Sequence, residues 1–156
     1  MRKDIFIDNN IAKNFSNPLD PEYKLLVSWL QENVPGENQA AHLVVSNKLL
    51  AEYHKSSRNA TSSSSIPVII DILTRQNRLI KISNEEIKNF RKEYFSKKVE
   101  RELLSNEEDR NHIPVVLLSD RKFALTIDHN LTHDLLHFPG FHATVEARPE
   151  RLPYAS

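Results

Sequence analysis

A chain of 156 residues with 39% hydrophobic content is long enough for one domain with a single core and too short for two ordinary ones. It has no Cys, which excludes disulfide scaffolds, thiolate zinc sites and cysteine nucleophiles, allows an intracellular origin and leaves oxygen or imidazole as metal donors. Lys plus Arg equals Asp plus Glu at 21 each, so the overall field gives no pull toward polyanions. A nucleic-acid partner then needs a local basic patch, whose charge an acidic metal centre elsewhere would balance in the total.

The opening stretch Met1 to Asp8 leaves no room for a signal-peptide core; Ile5-Phe6-Ile7 reads as a buried strand running into polar Asp8-Asn9-Asn10. Residues 22–33 place Tyr23, Leu26, Val27 and Leu30 at helical spacing beside Trp29, with a stop near Pro35-Gly36. His42 to Val45 is a second short apolar run, and Ser46 is placed to cap a helix through Leu49, Leu50 and Tyr53 that carries Glu52. Residues 56–65, rich in Ser, have too little apolar surface to offset the entropy of ordering and are expected to be a mobile loop inside one domain spanning 1–156.

Ile66 to Thr74 is apolar and predicted as a helix, with Ser65 as cap and Pro67 in its first turn; the strand Leu79 to Ile82 follows. Asn84 to Ser105 reads as one charged helix with two apolar stripes, Ile87, Phe90 and Tyr94, then Phe95, Val99 and Leu103. His112 to Leu118 is a short apolar helix that tolerates Pro114 only in its first turn. Phe123 to Ile127 is a strand with Asp128 at its carboxyl end, a helix runs through Leu131, Leu135 and Leu136 until Pro139-Gly140 breaks it, and Phe141 to Val145 is the last strand. Strands alternating with helices predict a mostly parallel sheet covered on both faces. No apolar run approaches the roughly 20 residues needed to span a bilayer, so no membrane partner is expected and a soluble, cytoplasmic protein is.

Ligands of open parallel sheets collect outside the carboxyl ends of the strands. Asp8 and Asp128 each sit at such an end. Carboxylates converging there repel one another unless a cation joins them, and hard oxygen donors favour Mg²⁺ or Mn²⁺ over zinc.

In this respect the chain resembles the PIN-domain ribonucleases, among them the toxin components of bacterial toxin–antitoxin pairs, nearly from end to end. Phe6-Ile7-Asp8-Asn9-Asn10 is similar to the family's opening strand with its first catalytic acid, and Ser46 to Tyr53 to the helix that supplies the second, Glu52. Asp109-Arg110-Asn111-His112-Ile113 resembles the start of the helix bearing the third, and Thr126-Ile127-Asp128 the strand-end Thr-x-Asp that gives the fourth. The resemblance implies a three-layer α/β/α sandwich and a metal-dependent endoribonuclease whose Mg²⁺ or Mn²⁺ is held by Asp8, Glu52, Asp109 and Asp128. It also implies an RNA substrate, and by family habit a neutralising antitoxin and a homodimer. Pro114 departs from the usual start of the third helix, which leaves Glu107 and Glu108 as alternatives to Asp109.

Other readings of the same residues remain open. Asp8 and Asp128 are also suited to capping helices, Glu52 to pairing with Lys48 or Lys55, and Asp109 to an N-cap. Asn10 and Thr126 are candidates for orienting carboxylates or water, and His129 for a phosphate contact or proton transfer. His129, His133 and His137 recur every four residues, a spacing that can bind zinc. Lys13, Lys55, Arg58, Arg121 and Lys122 flank the acids in sequence and are candidates for an RNA backbone. The rival to a nuclease is a non-catalytic PIN-like module that binds RNA or protein; a DNA nuclease would use every acid named here.

Overall fold

The computed structural model describes residues 1–32, 40–58 and 61–156. Strand β1, Lys3–Ile7, is the apolar opening run, and its Ile5, Phe6 and Ile7 are fully buried. A single turn, α1 (Asn9–Ala12), follows at once, then a 3₁₀ turn and α2 (Pro21–Glu32). The stop expected near Pro35-Gly36 lies outside the described residues. Next come β2 (Ala41–Val45), α3 (Asn47–Ser57), α4 (Ile66–Arg75) and β3 (Leu79–Lys81). The second half holds α5 (Asn84–Tyr94), α6 (Lys97–Glu102), α7 (His112–Leu117), β4 (Phe123–Leu125), α8 (His129–Leu136) and β5 (Thr144–Glu146).

The five strands form one sheet in the order β3-β2-β1-β4-β5, and every pairing is parallel. Ile5 lies opposite Leu43 on one side of β1, and Ile7 opposite Leu125 on the other. Helices α2, α3 and α4 pack on one another, as do α5, α7 and α8. These two groups flank the sheet and make the PIN-like α/β/α sandwich. Because parallel strands need crossovers, each strand's carboxyl end leads into a loop or helix at the same edge of the sheet.

Local sequence explains most boundaries. Ser46 accepts a hydrogen bond from the Leu49 N–H at 3.1 Å and starts α3. Ser83 and Glu86 form a reciprocal capping box at the head of α5. Pro67 sits in the first turn of α4, where a missing N–H costs nothing.

Four expectations change. The helix predicted over 84–105 is two helices: Phe95 turns into the core at the end of α5, and Ser96 caps α6 by accepting from the Val99 N–H at 3.2 Å. The two apolar stripes were the trace of that break. The Ser-rich stretch is not all loop, since α3 runs through Ser57, whose hydroxyl donates to the Tyr53 carbonyl at 2.7 Å, and Ser64 donates to the Phe15 carbonyl at 2.6 Å. Strand β4 ends at Leu125, so Asp128 stands three residues past it as the cap of α8. Strand β5 starts only at Thr144, because Phe141 belongs to an aromatic cluster with Phe90, Tyr94 and Phe138.

Two buried charges fasten the sheet's other edge. Asp4 accepts the N–H groups of Asp120 and Arg121 at 2.8 and 2.9 Å, which fixes the turn that feeds β4 beside β1. Arg78, fully buried, donates through one guanidinium nitrogen to the carbonyls of Leu30 and Ala41, both at 2.9 Å, tying α2, β2 and β3 together. Arg78→Met fills similar space and leaves both carbonyls unpaired. A loss of about 3 kcal/mol in a urea unfolding curve is expected, and an unchanged midpoint would show that the guanidinium holds nothing.

Candidate active site

The carboxyl edge of the sheet carries the acids. Asp8 follows β1 directly, caps α1 by accepting from the Asn9 N–H at 2.8 Å, and is 8% exposed. Its other oxygen accepts the Thr126 hydroxyl at 2.6 Å and the Asn10 amide at 3.2 Å. Thr126, just beyond β4, in turn accepts the Asp128 N–H at 3.1 Å, so one hydroxyl links the two acids. Asp128 spends one oxygen on the N–H groups of Asn130 and Leu131 at 2.9 and 3.2 Å. Its second oxygen makes no hydrogen bond among the described residues. Capping therefore accounts for one oxygen of each strand-end acid and leaves the other aimed elsewhere.

Glu52 comes from α3, where the helix face brings it to the rim above Tyr53, whose buried hydroxyl donates to the Ile7 carbonyl at the end of β1. Its carboxylate accepts from His112 Nε2 at 2.8 Å and lies 3.6 Å from the Lys48 ammonium, one turn earlier. Lys48 also stands 3.9 Å from Asp109 on the 3₁₀ turn that leads into α7. Glu107 points instead to Arg91 and Arg110, and Glu108 is exposed. Among the three alternatives for the third acid, Asp109 is the one beside Glu52.

Electrostatics separate the members of this row. Burial pushes the Asp8 carboxyl above the usual carboxylate range; hydrogen bonds from Thr126 and Asn9 and the proximity of His112 oppose that rise, while Glu52 adds to it. Burial pushes Glu52 upward too, but the His112 hydrogen bond and charge, together with Lys48, outweigh it and hold the carboxyl below its usual value. His112 is what sequence reading missed as a member of the site; Lys48 is the partner that helical spacing offers Glu52, and the pairing is present. His112 is buried against the Phe6 ring, its Nε2 faces the Glu52 carboxylate, and its Nδ1 has no hydrogen-bond partner among the described residues. The only trace in sequence is a His directly after Asp109-Arg110-Asn111.

Of the other candidates, Asn10 bridges the crevice: its amide nitrogen reaches both Asp8 and Thr126, and its oxygen accepts from the Ile127 N–H at 3.4 Å. His129 is exposed at the start of α8. Arg121 is withdrawn from any surface role, because it donates to the Asp4 and Tyr154 carbonyls at 3.1 and 2.9 Å and stacks on Phe123. Lys122 is tied to the Ser119 carbonyl, whereas Lys13, Lys55 and Arg58 are exposed. A basic groove does adjoin the acids, but other residues make it: a cavity of about 420 Å³ lined by Lys48, Asn84, Ile87, Lys88, Arg91 and Asn111.

The donor chemistry suits a hard divalent cation, four carboxylates with no competing thiolate. Closure around an ion is a different matter, since among the described residues no three His, Asp or Glu side chains stand close enough together to hold one. Glu52 is turned to His112 and Lys48 instead.

No family model and no curated protein sequence matches the chain. Among solved structures it is similar to a chain of VapBC2 from Rickettsia felis, crystallised bound to a DNA fragment from the promoter, with a TM-score of 0.56 and 14% identity over 91% of this chain and 98% of that one. At that identity the likeness shows the fold alone. No helix among the described residues is long and apolar enough to cross a membrane.

Asp8→Asn removes the buried charge and keeps the volume. A carboxyl raised by burial contributes stability below its ordinary pKa and loses it as pH rises through the raised one, so the penalty grows from acid toward neutral pH. Asp8→Asn is accordingly expected to melt at or above the wild-type temperature at pH 7, with any advantage gone near about pH 3. A lower melting temperature at pH 7 would mean that capping and the Thr126 bond outweigh the cost of the charge.

Proposed function

We propose that the chain is a Mg²⁺- or Mn²⁺-dependent endoribonuclease of PIN type, with Asp8, Glu52, Asp109 and Asp128 as the residues that hold the cation. The observation that carries the reading is a pair of linked groups, Asp128 to Thr126 to Asp8 and His112 to Glu52 to Lys48 to Asp109, with His112 and Glu52 near enough to act on the Asp8 charge, assembled from separate segments at one edge of a parallel sheet. A bound cation supplies neutralisation of phosphodiester charge and acidification of water. The chain's own groups do the rest. Thr126 and Asn10 orient the Asp8 oxygen, and Asn10 together with the cap of α8 keeps Asp128 in place. Lys48 and Lys88, with Asn84 and Asn111, line a groove suited to the phosphates of a strand lying beside the acids.

The resemblance to toxin-type PIN domains, and the similarity in fold to VapBC2, extend the proposal to a cytoplasmic protein with a neutralising antitoxin partner and a homodimeric state. A non-catalytic PIN-like module is favoured by one specific feature. The protein's own Lys48 and His112 already compensate Glu52, as they would in a site that takes no metal.

Calorimetric titration with Mn²⁺ separates the two. The enzyme reading expects binding that Asp8→Asn abolishes, and RNA cleavage at least about 100-fold slower in Asp8→Asn and in Asp128→Asn with helicity unchanged. Undiminished cleavage in either purified variant sinks the assignment, and no Mn²⁺ binding in the wild type leaves the module. Running single-stranded DNA beside RNA distinguishes a deoxyribonuclease. Lys88→Ala is expected to weaken RNA binding evenly across sequences and to lower the salt slope by about 1, which a fluorescence titration at several salt concentrations reads.

A further inference from the structure

His112 opens α7 with its side chain only 2% exposed. The Phe6 ring of β1 stands edge-on to the imidazole, with centroids 5.4 Å apart and planes at 61°. Nε2 lies 2.8 Å from Glu52 Oε1, whereas Nδ1 is buried with no hydrogen-bond partner among the described residues. A buried nitrogen left unpaired is a cost that an apolar side chain of similar size at 112 would not carry. Packing against Phe6 therefore does not by itself account for an imidazole here, and the contact with Glu52 is what distinguishes it. On the endoribonuclease reading, we propose that His112 is a positioning residue for RNA cleavage that acts through Glu52: its Nε2–H fixes which carboxylate oxygen faces the interior and which faces the rim.

The two Glu52 oxygens are held in different ways. A carboxylate only accepts, so Nε2 carries the proton and donates to Oε1. Oε2 faces the Lys48 ammonium at 3.6 Å, and both of those side chains are partly exposed. An ammonium on a flexible four-carbon stem is a loose restraint. The imidazole has less freedom, because Phe6 confines its ring and the first turn of α7 its backbone. The orientation of Glu52 is thus set from the buried side.

Both ends of this contact are tied to the strand that carries Asp8. Phe6 and Ile7 immediately precede Asp8; the first packs on the His112 ring, and the carbonyl of the second accepts the hydroxyl of Tyr53, the neighbour of Glu52 on α3. Without the Nε2–H, Oε1 has no donor on its buried side, and the side chain gains by swinging toward Lys48 and solvent. A small misplacement of a group at a reacting centre is enough to cost a large part of the rate.

The test compares His112→Leu and His112→Gln in RNA cleavage under the conditions that support wild-type activity, beside ring ¹⁵N spectra. His112→Leu removes both nitrogens and is expected to lower kcat by about 10-fold or more with KM unchanged, since the groove lined by Lys48 and Lys88 is left in place. His112→Gln puts an amide N–H near the Nε2 position and should recover most of kcat, which a purely structural role does not require. In the wild type, an Nε2–H signal protected from exchange is expected, and it should lose that protection in Glu52→Ala; this reads the contact without any activity. If His112→Leu fails to fold, His112→Gln and the spectra decide. A wild type that cleaves RNA with His112→Leu matching it overturns the positioning role alone, whereas a wild type that cuts no RNA overturns the endoribonuclease reading with it. A defect confined to KM, no recovery in His112→Gln, or an Nε2–H that exchanges freely in the wild type each also overturns the proposal.

Discussion

The position of β1 governs the rest of the molecule. The chain lays β2 and β3 to one side of it, then returns through α5, α6 and α7 to place β4 and β5 on the other. Where strand order reverses in an open parallel sheet, the loops leaving the two central strands diverge and open a crevice at their carboxyl ends. That crevice lies between β1 and β4. The Asp8 N–H, donating to the Leu125 carbonyl at 2.9 Å, is the last backbone bond across it, and the Thr126 hydroxyl on Asp8 is the first side-chain bond beyond. Asp4, holding the turn before β4 from the opposite edge, keeps the two strands level.

Helix capping and participation in a site are usually weighed as alternatives for an Asp at a strand end. Here they are compatible, because a carboxylate has two oxygens and about four acceptor positions. Asp8 gives one oxygen to the first N–H of α1 and presents the other to Thr126 and Asn10. Asp128 gives one to the head of α8 and keeps the second unengaged among the described residues. Capping thus aims the carboxylates, fixing their rotamers at the rim with backbone groups that cannot move far.

Much of this was legible in the sequence, where local signals and the tertiary result agree. The apolar runs at Ile5 to Ile7 and Leu43 to Val45, the cap at Ser46 and the punctuation at Pro67 and Pro139 each act within a few residues, and the elements they mark are present. What was illegible depends on contacts distant in the chain. The break between α5 and α6 is set by Phe95 turning toward Phe90 and Phe138, and the late start of β5 by Phe141 joining the same cluster. Likewise, nothing near position 112 announces that its imidazole meets a carboxylate sixty residues earlier, or that Arg121 is taken up by Asp4 and Tyr154 rather than facing solvent.

The equal count of acidic and basic residues then acquires a local meaning. Charges at the rim are not neutralised evenly: Glu52 and Asp109 share Lys48, and Glu52 also has His112, whereas Asp8 is buried among hydrogen-bond donors with no ammonium or guanidinium paired to it among the described residues. Burial dominates at Asp8, whereas at Glu52 the His112 hydrogen bond and charge, with Lys48, outweigh it, which is why two carboxyls on one edge shift in opposite directions. The crevice side of the row is therefore the part with fewer cations, and the groove side carries Lys48, Lys88 and Arg91, of which Lys48 pairs with Glu52 and Asp109 and Arg91 with Glu100 and Glu107. A divalent cation and a phosphate backbone are complementary to these two halves respectively, and they meet at Lys48, which a cation entering between Glu52 and Asp109 would have to displace.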